Sequence, residues 1–147
     1  MKTTIVMIIA AILVASSVAT WTPLQAKTDS DIIEFMRDED HKIYVIMFFN
    51  SAQDSPSRTE RMRKIVLDER QKIKENILAV YTDVMYAEVD LAGGKHDEVA
   101  HEIGIEIEDT FEYPTVVAVQ DGVGKWVHGP NSYQLLASVI DALLGRE

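Results

Sequence analysis

At 147 residues and 47% apolar content, the chain is long enough for one globular domain with a sizeable core plus a short extra segment. It contains no cysteine, which excludes disulfide exchange, a thiolate nucleophile and a Cys-ligated structural zinc. The formal charge is −10, and residues 27–147 carry 13 Lys and Arg against 24 Asp and Glu, so nucleic acid is not an expected partner.

Residues 1–26 differ from all that follows. Lys2 precedes a ten-residue apolar run from Ile5 to Val14, and small residues follow at Ala15-Ser16-Ser17-Val18-Ala19. This is the layout of a secretory signal peptide, with Ser17-Val18-Ala19 fitting the small-x-small cleavage rule. Residues 3–21 carry no charge and are also long enough for an uncleaved membrane anchor, with Trp21 at the interface. The expected division is therefore a signal peptide or N-terminal anchor over 1–26 and one domain over 27–147.

Asp29 to Arg37 predicts a short helix capped by Asp29 or Ser30, with Ile32, Phe35 and Met36 on one face. Ile43-Tyr44-Val45-Ile46-Met47-Phe48-Phe49 is apolar without alternation, the pattern of a strand buried on both faces. A polar loop, Asn50 to Ser57, leads into a helix from Arg58 to Leu78. Its apolar stripe is Met62, Ile65, Val66, Ile73, Ile77 and Leu78, and Arg61, Arg63, Lys64, Glu69, Arg70, Lys72 and Lys74 fill the other face. Val84 to Asp90 is a second strand. Gly93-Gly94 breaks the chain before a short helix, His96 to Ile103, which stops at Gly104. An acidic stretch, Glu106 to Glu112, precedes Tyr113-Pro114 and a buried strand from Thr115 to Val119. Gln120-Asp121-Gly122-Val123-Gly124 reads as a hairpin turn and Lys125 to His128 as its edge strand. Tyr133 to Leu144 is the last helix.

Little catalytic chemistry is visible. Asp54, Ser55 and Ser57 bear oxygen nucleophiles or bases, but no histidine lies near them and no Gly-x-Ser-x-Gly elbow exists, so Asp54 or Ser55 is read as a helix cap with Pro56 in the first turn. His41, His96, His101 and His128 read as surface or loop residues. Glu106, Glu108, Asp109 and Glu112 lack the alternating Asp/Asn-Gly loop that fixes calcium ligands, so no metal site and no cofactor is assigned.

The strand, the loop and the helix opening on Pro56, together with Gly104-Ile105 before Tyr113-Pro114-Thr115, resemble the thioredoxin family over nearly all of residues 27–147. The resemblance implies an α/β thioredoxin-like fold, a central mixed sheet of about four strands flanked by helices, with the family's first strand absent or reduced to a few residues. It places Asp54-Ser55-Pro56-Ser57 on the family's Cys-Gly-Pro-Cys, so both thiols are replaced, and it puts Phe48 where the family has a buried carboxylate. It also implies a cis bond at Tyr113-Pro114 and a shallow peptide groove formed by Phe111, Tyr113, Pro114, Thr115 and the loop from Gln53 to Pro56. Residues 106–112 are an insertion relative to the family. The expected protein is a non-enzymatic, redox-inactive thioredoxin-like domain that binds protein partners in the secretory pathway or at a membrane. The alternative is a membrane-anchored structural accessory subunit of a larger membrane complex, in a mitochondrial or other organellar membrane.

Overall fold

The computed structural model describes residues 24–37 and 40–145, so most of the segment over 1–26 expected to be a signal peptide or anchor lies outside the described residues. The strands are β1 (Leu24–Gln25), β2 (Ile43–Phe49), β3 (Val84–Asp90), β4 (Thr115–Gln120) and β5 (Val123–His128). The helices are α1 (Asp29–Arg37), α2 (Pro56–Ile73), α3 (Asp97–Ile103) and α4 (Ser132–Leu143). A π turn over Lys74–Leu78 continues α2, and a 3-10 helix spans Ile107–Phe111.

The sheet runs β1-β3-β2-β4-β5, with β1, β3 and β2 parallel and β4 and β5 antiparallel to their neighbours. It therefore has four full strands and a two-residue β1, which pairs Leu24 with Ala87 and Gln25 with Glu88. Unbroken apolarity in β2 has the meaning expected of it. Ile43, Val45 and Met47 enter one core with Met62, Val66, Ile73 and Ile77 of the α2 segment and Leu136 and Ile140 of α4. Tyr44, Ile46 and Phe48 enter the opposite core with Ile32, Val99 and Ala100. Between β4 and β5, Asp121 and Gly122 both take positive φ, as a two-residue hairpin of this hand requires. A Cβ at Gly124 would run into the Ala118 carbonyl oxygen, so only glycine fits there.

Several expected details change. The cap of α1 is Thr28, one residue before Asp29 and two before Ser30. Thr28 Oγ1 accepts from the Asp31 amide at 3.2 Å, and the Asp31 carboxylate accepts from the amides of Lys27 and Thr28. Asp29 is released for another task and meets the ring of His96, Nδ1 to Oδ1 2.7 Å. His96 is 2% exposed, so it is a buried residue and not a surface one.

Glu69 is also displaced from the polar face, because it is 4% exposed. It stands three residues after Val66 and four before Ile73, within the helical stripe. Its carboxylate accepts a long 3.4 Å bond from Ser132 Oγ at the start of α4. Asn131 gives that helix no side-chain cap, so an anion there complements the unsatisfied amides. Burial nevertheless dominates and raises the Glu69 pKa above the usual carboxylate range.

One residue further on, Arg70 turns inward. Its Nε and Nη2 each donate to the Glu88 carboxylate at 2.7 Å, and Tyr86 Oη donates to the same carboxylate at 2.8 Å. Glu88 is 2% exposed on β3, and its hydrogen bonds hold the Arg70 pKa above its ordinary value. Burial, with the Glu88 charge second, pushes the Tyr86 phenol well above its normal range. The remaining charges of α2 do lie outward, in pairs such as Arg63–Glu60 and Lys72–Asp68.

Two outcomes follow from these buried groups. Arg70→Ala strands the Glu88 charge and should cost about 2–3 kcal/mol, below the fully buried figure because Arg70 keeps 31% of its side chain in water. Urea denaturation measures this, and Arg70→Met with Glu88→Gln should recover much of the loss. For Glu69, a raised folded pKa means its contribution falls as pH rises out of the carboxylate range. Glu69→Gln should therefore match or exceed the native chain in urea midpoint at pH 7, with the advantage vanishing below about pH 4.5.

Candidate functional site

The loop between β2 and α2 is held by its own side chains. Asn50, itself buried, accepts from the Ala52 amide through Oδ1, and its carbonyl accepts from Gln53 Nε2 at 2.7 Å. Ser51 donates through both its amide and its hydroxyl to the Asp90 carboxylate, which tethers the loop to the end of β3. Asp90 also accepts from the Ala92 amide.

Ser55 is the cap of α2. Its backbone is extended, its hydroxyl accepts from the Arg58 amide at 3.3 Å, and Pro56 begins the helix. Ser57 Oγ lies 3.3 Å from Ser55 Oγ, and Asp54 accepts from Arg58 Nη1 at 3.2 Å. The partners of Asp54, Ser55 and Ser57 are thus each other, an arginine and backbone groups. Among the described residues neither serine hydroxyl has a histidine partner of the kind that activates a serine nucleophile.

The second expected group of residues divides. Thr110 is buried and donates to the Ile107 carbonyl at 2.6 Å, closing the 3-10 turn. Phe111 is left 43% exposed. Tyr113 is half-buried with the Arg61 guanidinium 5.5 Å from its ring centroid. Pro114 and Thr115 go into the interior, where Thr115 Oγ1 meets His128 Nδ1 at 2.9 Å.

No cis peptide bond occurs among the described residues, so Tyr113–Pro114 is trans, contrary to the expectation. The inserted turn explains the difference. Glu112 and Tyr113 both donate their amides to the Asp109 carbonyl, so a helical turn delivers the chain to β4. Trans, the lower-energy isomer by about 0.5–1 kcal/mol, then suffices. A cleft of about 440 Å³ is lined by Arg58 and Arg61 of α2 and by Glu108, Phe111 and Glu112 of the 3-10 segment. One side is basic and the other acidic, and Phe111 is exposed there.

Among the described residues no three His, Asp or Glu side chains converge as metal donors. Sequence reasoning missed Glu88, Arg70 and His96. Glu88 had a signal, since it stands two residues from Tyr86 on the same strand face.

No protein-family model matches the chain, and no curated protein matches it. Among solved structures it is similar to thioredoxin f2 of Chlamydomonas reinhardtii, at 14% identity over 86% of this chain and 100% of that one, with a TM-score of 0.53. A reduced thioredoxin pre-protein of Schistosoma mansoni matches at 17% identity over 82% and 98%, TM-score 0.53. A designed protein matches at 23% identity over 86% and 96%, TM-score 0.55. At such identities the likeness establishes architecture alone. The chain has a thioredoxin-like fold, and it carries no cysteine.

Proposed function

We propose that this chain is a non-catalytic thioredoxin-like domain that works by binding protein, through the face made by the first turns of α2 and the 3-10 insertion. The observation that carries this reading is the cleft at Arg58, Arg61 and Phe111, which lies on the helix that the redox loop would open. Ser55 caps α2, Asp54 pairs with Arg58 and Ser57 Oγ lies 3.3 Å from Ser55 Oγ, so the two positions aligned with the family's thiols make local side-chain contacts. An exposed phenylalanine beside arginines is the composition of a protein-binding patch. The setting proposed is the secretory pathway, either lumenal or held at a membrane.

The second reading, a membrane-anchored structural accessory subunit, draws on residues 3–21, which lie outside the described residues. Among the described residues no helix is long and apolar enough to cross a membrane.

A photo-crosslinking residue at Phe111 should yield specific adducts with other polypeptides in cells, while one at exposed Ser138 on α4 should not. Equal labelling at both positions contradicts the proposed binding face. Pure protein should show no insulin reduction. Asp54→Cys with Ser57→Cys should restore little of it, because Phe48 stands where the family has its proton acceptor. Rates near those of ordinary thioredoxins in that double variant would show that the missing carboxylate is unimportant.

A further inference from the structure

The two walls of the cleft carry opposite charge, and this decides what fits against it. Arg58 and Arg61 come from α2, while Glu108 and Glu112 come from the insertion. Arg58 already has an exposed contact with Asp54, whereas Arg61 lies over the face of Tyr113 and makes no ion pair within 4.0 Å among the described residues. Glu108 and Glu112 make no ion pair within 4.0 Å among the described residues. Phe111 leaves 43% of its surface in water at the same place.

A two-fold axis that runs along such a cleft, between its walls, exchanges them. The basic wall of one copy then meets the acidic wall of the other, and the acidic wall meets the basic one, in a single operation. A cleft with walls of one sign would repel its own copy. An isologous interface requires a patch that complements itself, and this patch does so in charge.

Resting on the reading of this face as a protein-binding surface, we infer that its partner is a second copy of the chain, paired through reciprocal Arg61–Glu112 contacts with each Phe111 seated in the other copy's cleft. The net charge of −10 on each copy opposes the encounter at long range. At physiological ionic strength that field decays over about 8 Å, whereas the facing walls act at contact. The interface is therefore a moderate-affinity one, governed by the wall charges and the ring.

The chain has no native cysteine, so full-length copies can be labelled uniquely through Lys95→Cys, an exposed position outside the cleft lining, with donor or acceptor dye. Energy transfer between copies should rise with concentration in the micromolar range. Arg61→Glu places two like-charged pairs across the axis, and so does Glu112→Arg, so each alone should weaken association at least about tenfold. Mixing Arg61→Glu copies with Glu112→Arg copies makes both pairs opposite again and should restore transfer to the native level. Phe111→Ser should weaken association in every combination, and circular dichroism confirms that each variant is folded.

A mixture that stays apart overturns the reciprocal pairing. Transfer that ignores both reversals, as association through the apolar N-terminal residues would, overturns the placement. Copies that never associate while Phe111 still crosslinks to other proteins overturn the second copy and leave the protein-binding reading standing. Absence of both signals removes the two together.

Discussion

Everything in this domain is arranged by the need to cover β2 on two faces. Six of its seven residues are buried, and they alternate between two cores. A strand in that position cannot lie at an edge or face water, so it takes β3 on one side and β4 on the other. Helices must then cover both surfaces, α2 and α4 on one and α1 and α3 on the other. Burying a side chain such as Phe48 or Ile46 contributes about 1.5–3 kcal/mol. Ordering the loops around the sheet is offset from this source more than from any polar contact.

Within that frame the polar contacts set geometry. Arg70 meets Glu88 through two parallel hydrogen bonds, which fixes the rotation of α2 about its axis as well as its distance from β3. A buried pair of this kind adds little net stability over apolar residues of the same shape. Its effect is specificity of packing, because any slip of the helix leaves Glu88 charged and unpaired. The loop after β2 is held in a similar way. Asp90 binds Ser51, Ser55 caps the helix, and a cap is worth about 1 kcal/mol. The loop is thus a joint from strand to helix that its own side chains hold, and it contains no thiol.

How much of this was legible depended on the kind of residue. Long apolar runs announced β2, the stripe of α2 and the core of α4, because burial of aliphatic side chains is nearly independent of their partners. Ionisable residues behaved otherwise. Glu69, Glu88 and His96 are buried only because Ser132, Arg70 with Tyr86, and Asp29 respectively stand opposite them, from 63, 18 with 2, and 67 residues away in sequence. No local pattern contains that information, although the spacing of Glu69 and the alternation of Glu88 place each on an inward face. The trans bond before Pro114 escaped notice for a related reason. The insertion was visible as extra length, but that it would fold as a 3-10 turn and alter the approach to β4 is a tertiary outcome.

Charge along the chain is distributed with the same regional logic. From Arg58 to Lys74 lie seven of the chain's 14 Lys and Arg, while Asp97 to Glu112 holds seven acidic residues and no Lys or Arg. The overall value of −10 therefore conceals a domain with opposite potentials on two neighbouring elements. They adjoin at the cleft lined by Arg58, Arg61, Glu108, Phe111 and Glu112. A partner of uniform charge is attracted to one wall and repelled by the other. On the proposed reading, recognition there depends on orientation more than on net charge, and exposed Phe111 contributes the apolar burial that charge pairs at a wet surface do not.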